Sequence, residues 1–417
     1  MVKVAIIGGG ASGLAAAYAA GMSGAQAILF ERNEKLGKKI YITGKGRCNF
    51  TNVSEDFFGG VYEGERFARS ALSFFDCGSL ISLIESAGVP TTIERGNRAF
   101  PMSGKASDIT KAFVRLIHRM VDVRLNEDVE KVEKIEGLGF NIHASSGIVL
   151  VDSVILCCGG ASYPSTGSDG KGYGIAMSFG HSLQEISPAL VSLVSKEEWP
   201  RQLSGLSLIN VKASLFDGNK LIFEQAGEAL FTHTGISGPC ILSASCHVKN
   251  SREYTVEIDL KPYISEEELA FRLEKIFYSP ENKNRQARHS LEKSVPKRLA
   301  PIVLILTGID GEQKSSALAP KSFLAIAQTI KRLRITISGK GRFTEAIITD
   351  GGITASEVHS STMESRLVSG LYIAGEMLNC HGYTGGYNLQ LAFSTGILAG
   401  ASAGSGNLPK TVNLFPI

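Results

Sequence analysis

An α/β fold is predicted, in which a parallel-sheet domain is interrupted by a mainly β domain and then resumed. Three observations predict it. The chain opens with an apolar run that passes through Gly8-Gly9-Gly10-Ala11-Ser12-Gly13 into a small-residue helix. Residues 190–260 change character and read almost wholly as strand. Residues 370–400 repeat the opening pattern, with an apolar strand, a glycine-rich turn and a small-residue helix.

Residues 1–31 read as strand, helix, strand, and Glu31 closes AILFE about 18 residues after Gly13. Gly8 permits the tight strand-to-helix turn. Gly10 lets a pyrophosphate approach the backbone. Gly13 lets the helix pack close to the sheet. The helix that Ala11 and Ser12 open offers free N–H groups to phosphate, and Glu31 accepts from ribose hydroxyls. This order of parts predicts a Rossmann-type unit that holds the ADP half of a dinucleotide. Arg32, next in the chain, joins the same set.

Residues 32–63 are loop-rich. The segment TGKGRCNFTN, from Thr43 to Asn52, suits backbone wrapped round a ligand, with Thr43, Gly44, Gly46, Arg47, Cys48 and Asn49 as contacts. Arg47 neutralises a phosphate or a substrate acid in this reading, and Asn49, Thr51 and Asn52 bond a polar ring edge. Helices are expected over about 64–75 and 78–87. A hairpin follows over 91–100, with its turn at Gly96-Asn97. A helix then covers about 105–120, with Ser103 or Ser107 as its N-cap. From Val121 to Leu156 the period is that of strands, and a β-meander between two parallel strands is an alternative to a crossover helix. The last strand ends at Cys157-Cys158-Gly159-Gly160. Gly159 and Gly160 are cofactor candidates, and Ser162 and Tyr163 can face a ligand. GSDGKG is not a phosphate-binding P-loop, because Gly172 follows Lys171 where Ser or Thr is needed.

The expected domain boundaries are 1–189, 190–340 and 341–417, with a helical piece over about 262–318. Inside the insert, LFTHTGISGP carries His233, an acid/base candidate. In the last part, Gly375 and Glu376 end a strand, and Gly385, Gly386, Tyr387, Asn388 and Leu389 open a helix. An acid on a strand end holds a polyol hydroxyl, and helix N–H groups stabilise a carbonyl oxygen that gains negative charge. A flavin offers both groups. His381 and Tyr383, just before the turn, are further acid/base candidates. Cys48 and Cys380 read as small buried hydrophobes rather than redox thiols.

The 417 residues suggest two or three domains, and a net charge of +3 does not imply nucleic acid. Seven cysteines at scattered spacings, with no CxxC, fit a reducing cytoplasm rather than a zinc site or disulfide framework. Val2 already belongs to the first strand, so no leader is expected, and no apolar run reaches the roughly 18 residues of a membrane helix. No GxSxG, HExxH or paired-carboxylate pattern argues for hydrolysis.

The opening glycines with Glu31 resemble the ADP motif of two-dinucleotide-binding-domain flavoproteins. DGGI (350–353), TMESRLVSGLYIAGE (362–376) and GGYNLQLAFSTGILAG (385–400) are similar to the closing segment of the fumarate reductase and aspartate oxidase group. More narrowly, GKGRCNFTN, GGASYPSTGSDGKGYGIA, LFTHTGISGP and GYTGGYNLQ resemble the bacterial flavoprotein family that includes aminoacetone oxidase and 3-dehydro-bile-acid Δ4,6-reductase. The resemblance implies non-covalent FAD in a discontinuous, glutathione-reductase-like domain with a barrel-like insert. It also implies that Thr43 to Asn49 run along the flavin, Gly375 and Glu376 hold the ribityl side, Gly386 to Leu389 meet the N1–O2 edge, and Val129 contacts adenine. The chain departs from fumarate reductases in lacking their His- and Arg-bearing dicarboxylate segments, and from disulfide reductases in lacking a CxxxxC pair after Glu31. There is no second GxGxxG, so NAD(P)H would have to visit the flavin without its own domain.

The expected reaction is hydride transfer at flavin N5: NAD(P)H-dependent reduction of an activated C=C of the enone type, with steroid- or bile-acid-like small molecules as the acceptors to try, and with no nucleic acid or membrane partner. One alternative is oxidation of a small amine by O2. Another is a non-catalytic flavin-binding or RNA-associated module, supported only by the basic stretch 283–298.

Overall fold

The computed structural model describes residues 1–249 and 252–405. It divides into two units, Met1–Ala189 with Arg342 onward, and Leu190–Gly341.

The first unit is built on a five-stranded parallel sheet. Its order is Leu371–Ile373, Ser153–Leu156, β1 (Lys3–Ile7), β2 (Gln26–Glu31), Val121–Leu125. Val4 to Ile7 are buried, as strands covered on both faces require, which is why β1 reads as a continuous apolar run. The helix α1 (Ala11–Met22) follows β1. The C-terminal helix Tyr387–Ser405 lies against it at glycine contacts. A Cβ on Gly396 would sit 2.3 Å from the Ser12 carbonyl oxygen, and one on Gly400 2.2 Å from that of Ala16. The small residues of both helices therefore serve close backbone approach. The three strands Val129–Ile135, Gly139–Ala144 and Gly147–Val151 form an antiparallel meander between the parallel strands Val121–Leu125 and Ser153–Leu156, in place of a crossover helix. Two small pairings shape the site: Leu183–Ala189 with Ile348–Ile353, and Val61–Glu63 with His381–Gly382.

The second unit is a closed antiparallel barrel in the order Leu193–Ser195, Gly235–Ser237, Lys220–Phe231, Ser207–Asp217, Tyr254–Asp259, Leu333–Lys340. Alternate residues such as Val211, Ala213 and Leu215, and Val256 and Ile258, fill its core. Helices Glu266–Tyr278, Ala287–Leu291, Ala300–Leu306 and Pro320–Lys331 share that core, with Phe277 edge-on to Phe323 at 5.4 Å. The Ser265 hydroxyl caps the first of them by accepting from the Glu268 N–H, and three glutamates complement its N-terminal dipole.

Three local expectations need correction. Lys105, not Ser103 or Ser107, precedes the helix Ala106–Ile117. Ser103 lies too early and closes a turn instead, accepting from the Lys105 N–H and donating to Asp108. The all-strand reading of 190–260 misses the helix Pro239–Ser245, and the helical piece runs past 318 into Pro320–Lys331. In both, proline occupies the first helical position, where its fixed φ starts a helix. Among the described residues no single helix is long and apolar enough to cross a membrane.

Candidate active site

A cavity of about 610 Å³ opens in the first unit, within the range of cofactor sites. Gly8, Gly10, Ala11, Ser12, Glu31, Arg32, Thr43, Val129, Gly159, Gly375, Glu376, His381, Asn388 and Leu389 border it. Gly13, Gly44, Gly46, Arg47, Cys48, Asn49, Gly160, Gly386, Tyr387 and Tyr383 are not in its wall. His233 belongs to the second unit, exposed on the turn between Lys220–Phe231 and Gly235–Ser237.

The opening glycines divide into two kinds. A Cβ on Gly8, where φ is 102°, would lie 2.5 Å from the Cys157 carbonyl oxygen, and one on Gly13 would lie 1.7 Å from that of Gly8. Both are required by packing. A Cβ on Gly10 would meet nothing within 4 Å, so the missing side chain leaves cavity space, which is what an approaching pyrophosphate needs. Glu31 accepts from the Gly9 N–H at 2.7 Å through Oε2, and from the Asn33 N–H and Nδ2 at 2.8 and 2.6 Å through Oε1. A carboxylate has about four acceptor sites, so capacity remains for a ribose hydroxyl. Arg32 is tied to Asp169 at 2.7 Å. Burial alone would raise the Asp169 pKa, but Arg32 and the Lys171 N–H hold it below the usual value.

At the other end, Glu376 is partly buried. Its Oε2 meets the Lys39 ammonium at 2.6 Å, and its Oε1 accepts from the Ser162 hydroxyl at 2.8 Å and the Thr349 N–H at 2.9 Å. Burial pushes its pKa up, but Lys39, Ser162 and Thr349 outweigh that and hold it down. Lys39 is a cavity-wall residue that sequence reasoning missed, because one lysine in the charged run ERNEKLGKK carries no distinguishing signal. The segment after Thr43 takes left-handed turns at Gly44 and Lys45. It buries the Oδ1 of half-buried Asn49, which has no partner and would lie 2.9 Å from a Cβ on Gly386. That oxygen lies outside the cavity wall, whereas Asn388 and Leu389 at the start of the helix border the cavity, where the helix N–H groups suit an electron-rich ring edge. The Asn388 side chain locks the approach to that helix, accepting from the Gly382 N–H and donating to the Gly382 and Tyr383 carbonyls. Arg47 pairs instead with Glu94 and lies over Phe100. Burial pushes the Cys48 and Cys380 thiols up to about 12, so neither is a thiolate near neutrality.

The family model described as HI0933-like protein Rossmann domain matches residues 2–402. The chain is 36% identical over 414 residues to a Clostridium scindens protein named 3-dehydro-bile acid delta(4,6)-reductase, covering 97% of this chain and 99% of that one. It is 29% identical to an Escherichia coli protein named ribosomal RNA dihydrouridine synthase, covering 94% and 95%. Among solved structures, 3-ketosteroid delta1-dehydrogenase from Sterolibacterium denitrificans, in complex with 1,4-androstadiene-3,17-dione, has the same fold. Its TM-score is 0.52 at 13% identity, over 98% of this chain and 100% of that one. With a match that runs from residue 2 to residue 402, the chain belongs to the HI0933-like Rossmann family, and it is an FAD-dependent oxidoreductase.

Proposed function

We propose that this enzyme reduces a carbon–carbon double bond conjugated to a carbonyl in a small, steroid-like acceptor, with NAD(P)H as electron donor. The observation that carries this reading is the end-to-end similarity to a protein named for delta(4,6) reduction of a 3-dehydro bile acid. When bound, the flavin supplies the hydride chemistry. The chain's own part is to hold the cofactor and acceptor and to move a proton. Gly8 to Gly13 and Glu31 hold the ADP half, Glu376 with Lys39 the polyol side, and the N-terminus of Tyr387–Ser405 the ring edge. One alkene carbon takes hydride and the other takes a proton, so the site needs an acid. His381, Tyr383 and His233 are its candidates. The first two are near one another, with the Tyr62 ring 5.5 Å from the His381 ring and 5.7 Å from that of Tyr383. A cytoplasmic location, read from the scattered cysteines, belongs to the same proposal.

A second reading follows from the Escherichia coli relative. The C5=C6 bond of uridine is also conjugated to a carbonyl, so the chemistry is of one class and only the acceptor differs. This chain's own charge favours the small acceptor. In the basic stretch, Arg288 pairs with Glu312 and Lys293 with Glu281, while Arg298 bonds the Gln202 and Ser204 carbonyls. An anaerobic spectrum decides between them. The visible flavin band should bleach with NADH or NADPH and return on addition of a 4-ene-3-ketosteroid. Return only with uridine-containing RNA moves the reading to RNA. A band that ignores nicotinamide but bleaches with aminoacetone overturns it in favour of an amine oxidase.

A further inference from the structure

We propose that Asp350 is a positioning residue that fixes the His381 ring, so that His381 Nδ1 delivers the proton to the acceptor carbon next to the carbonyl. The inference rests on the reductase reading above. Asp350 lies on the strand Ile348–Ile353, opposite Ser187. Gly351 and Gly352 follow with φ of 88° and 126°. A Cβ on the first would be 2.2 Å from the Glu185 carbonyl oxygen, and on the second 2.7 Å from that of Met377. Only glycine fits between those two backbones, and the squeeze draws residues 377–381 alongside the strand. The Asn379 N–H then bonds the Ile353 carbonyl at 2.9 Å. His381 is thereby placed with Nε2 2.9 Å from Asp350 Oδ1.

His381 is 2% exposed, borders the cavity, and its Nδ1 has no partner. A buried orphan nitrogen is costly. The other fully buried imidazole, His181, shows how a structural histidine avoids that cost: Glu357 holds its Nδ1 at 3.1 Å and the Ser365 hydroxyl its Nε2 at 2.8 Å. An ionised Asp350 only accepts, so a hydrogen stays on Nε2. The neutral ring therefore has a bare Nδ1, and the imidazolium carries its mobile proton there. In the reaction the nicotinamide is oxidised and provides the two electrons and the hydride hydrogen for the carbon distal to the carbonyl. The adjacent carbon forms its new C–H bond with the Nδ1 proton. The N–H electron pair stays on the ring, which becomes neutral and regains a proton from water.

The test uses the holoenzyme, imidazole-¹⁵N-labelled, with Asp350→Asn and His381→Gln variants. Wild-type neutral His381 should give the Nε2–H signature, and in Asp350→Asn the Nδ1–H form should gain. Reoxidation of the reduced enzyme by a 4-ene-3-ketosteroid should slow about 100-fold or more in His381→Gln and at least about 10-fold in Asp350→Asn, with flavin content as in the wild type. If His381→Gln fails to fold, Asp350→Asn carries the kinetic test. A wild-type Nδ1–H tautomer, or either variant reoxidised at the wild-type rate, overturns the proposal. If no enone reoxidises even the wild type, the reductase reading fails, and the ¹⁵N spectrum alone decides whether Asp350 fixes the ring.

Discussion

The two ends of the cavity are built in opposite ways. At the Gly8–Glu31 end the glycine motif and its acid form one short stretch, in which the tie from Gly9 to Glu31 spans 22 positions, and Arg32 beside them reaches out to Asp169. At the Glu376–His381 end the parts come from the whole first unit, and the tie from Lys39 to Glu376 spans 337. The near end is a local motif whose geometry one turn of backbone dictates. The far end exists only once the sheet has brought separated strand ends to one crevice. Substitutions at the near end should therefore separate fold from ligand residue by residue, whereas those in the Lys39–Glu376 tie of the far end should act on both at once.

The largest effect is expected at Gly13. A side chain there would collide with the Gly8 carbonyl, and neither backbone can yield without parting α1 from the sheet. Gly13→Ala should cost more than about 3 kcal/mol and yield protein without flavin, read by thermal melts and absorbance. A stable, flavin-loaded Gly13→Ala would break the packing argument for this end.

Next comes Lys39→Met. It strands the Glu376 carboxylate, which should cost on the order of 2 kcal/mol, with flavin affinity falling in parallel. Adding Glu376→Gln should recover part of the loss, a coupling of about 0.5–3 kcal/mol. The sign with pH follows from the lowered Glu376 pKa. Its stabilisation is full above the unfolded value of about 4.3 and is lost as pH falls through the lower folded value. The gap between wild type and Lys39→Met should thus be wide at neutrality and narrow in acid. A gap that does not change with pH would mean that the pair contributes no charge interaction.

Gly10→Ala sharpens the comparison from the other side. Its methyl meets no protein atom, so the melting temperature should hold. Flavin affinity should fall about tenfold, or 1.4 kcal/mol, because the methyl occupies the space left for phosphate. If Gly10→Ala destabilises the free protein as Gly13→Ala does, the division between packing and binding glycines fails.

The same contrast governs what could be read from the chain. Gly8, Gly10, Gly13 and Glu31 were legible because strand, turn and helix periods are local properties. The alternation at Val211, Ala213 and Leu215 marked a strand for the same reason. That Leu193–Ser195 closes the barrel by pairing with both Gly235–Ser237 and Leu333–Lys340 was not legible in detail, because a strand's period does not name its partner. The short apolar helix Pro239–Ser245 was lost among strands because CILSAS carries no clear period over two turns. Asp350 entered only as part of DGGI in the resemblance to the fumarate reductase and aspartate oxidase group, with no role of its own. Its meaning lies in residues 377–381, which only tertiary structure brings beside it.

Arg47 should give the smallest effect, and it tests where the near end stops. Its place among glycines and small polar residues suggested a cation for a phosphate or a substrate acid. In the structure its guanidinium lies 4.5 Å from the centre of the Phe100 ring and pairs with Glu94, outside the cavity wall. Exposed pairs of this kind are screened by solvent and salt and contribute little. Arg47→Ala should therefore leave flavin affinity within about twofold of wild type, and its small effect on the melting temperature should shrink further in high salt. Glu94→Gln should behave in the same way, since it removes the other half of one surface pair. A tenfold loss of flavin affinity in Arg47→Ala, with Glu94→Gln unaffected, would show the guanidinium leaving Glu94 for the cofactor. The locally built end would then extend past Thr43 to include Arg47.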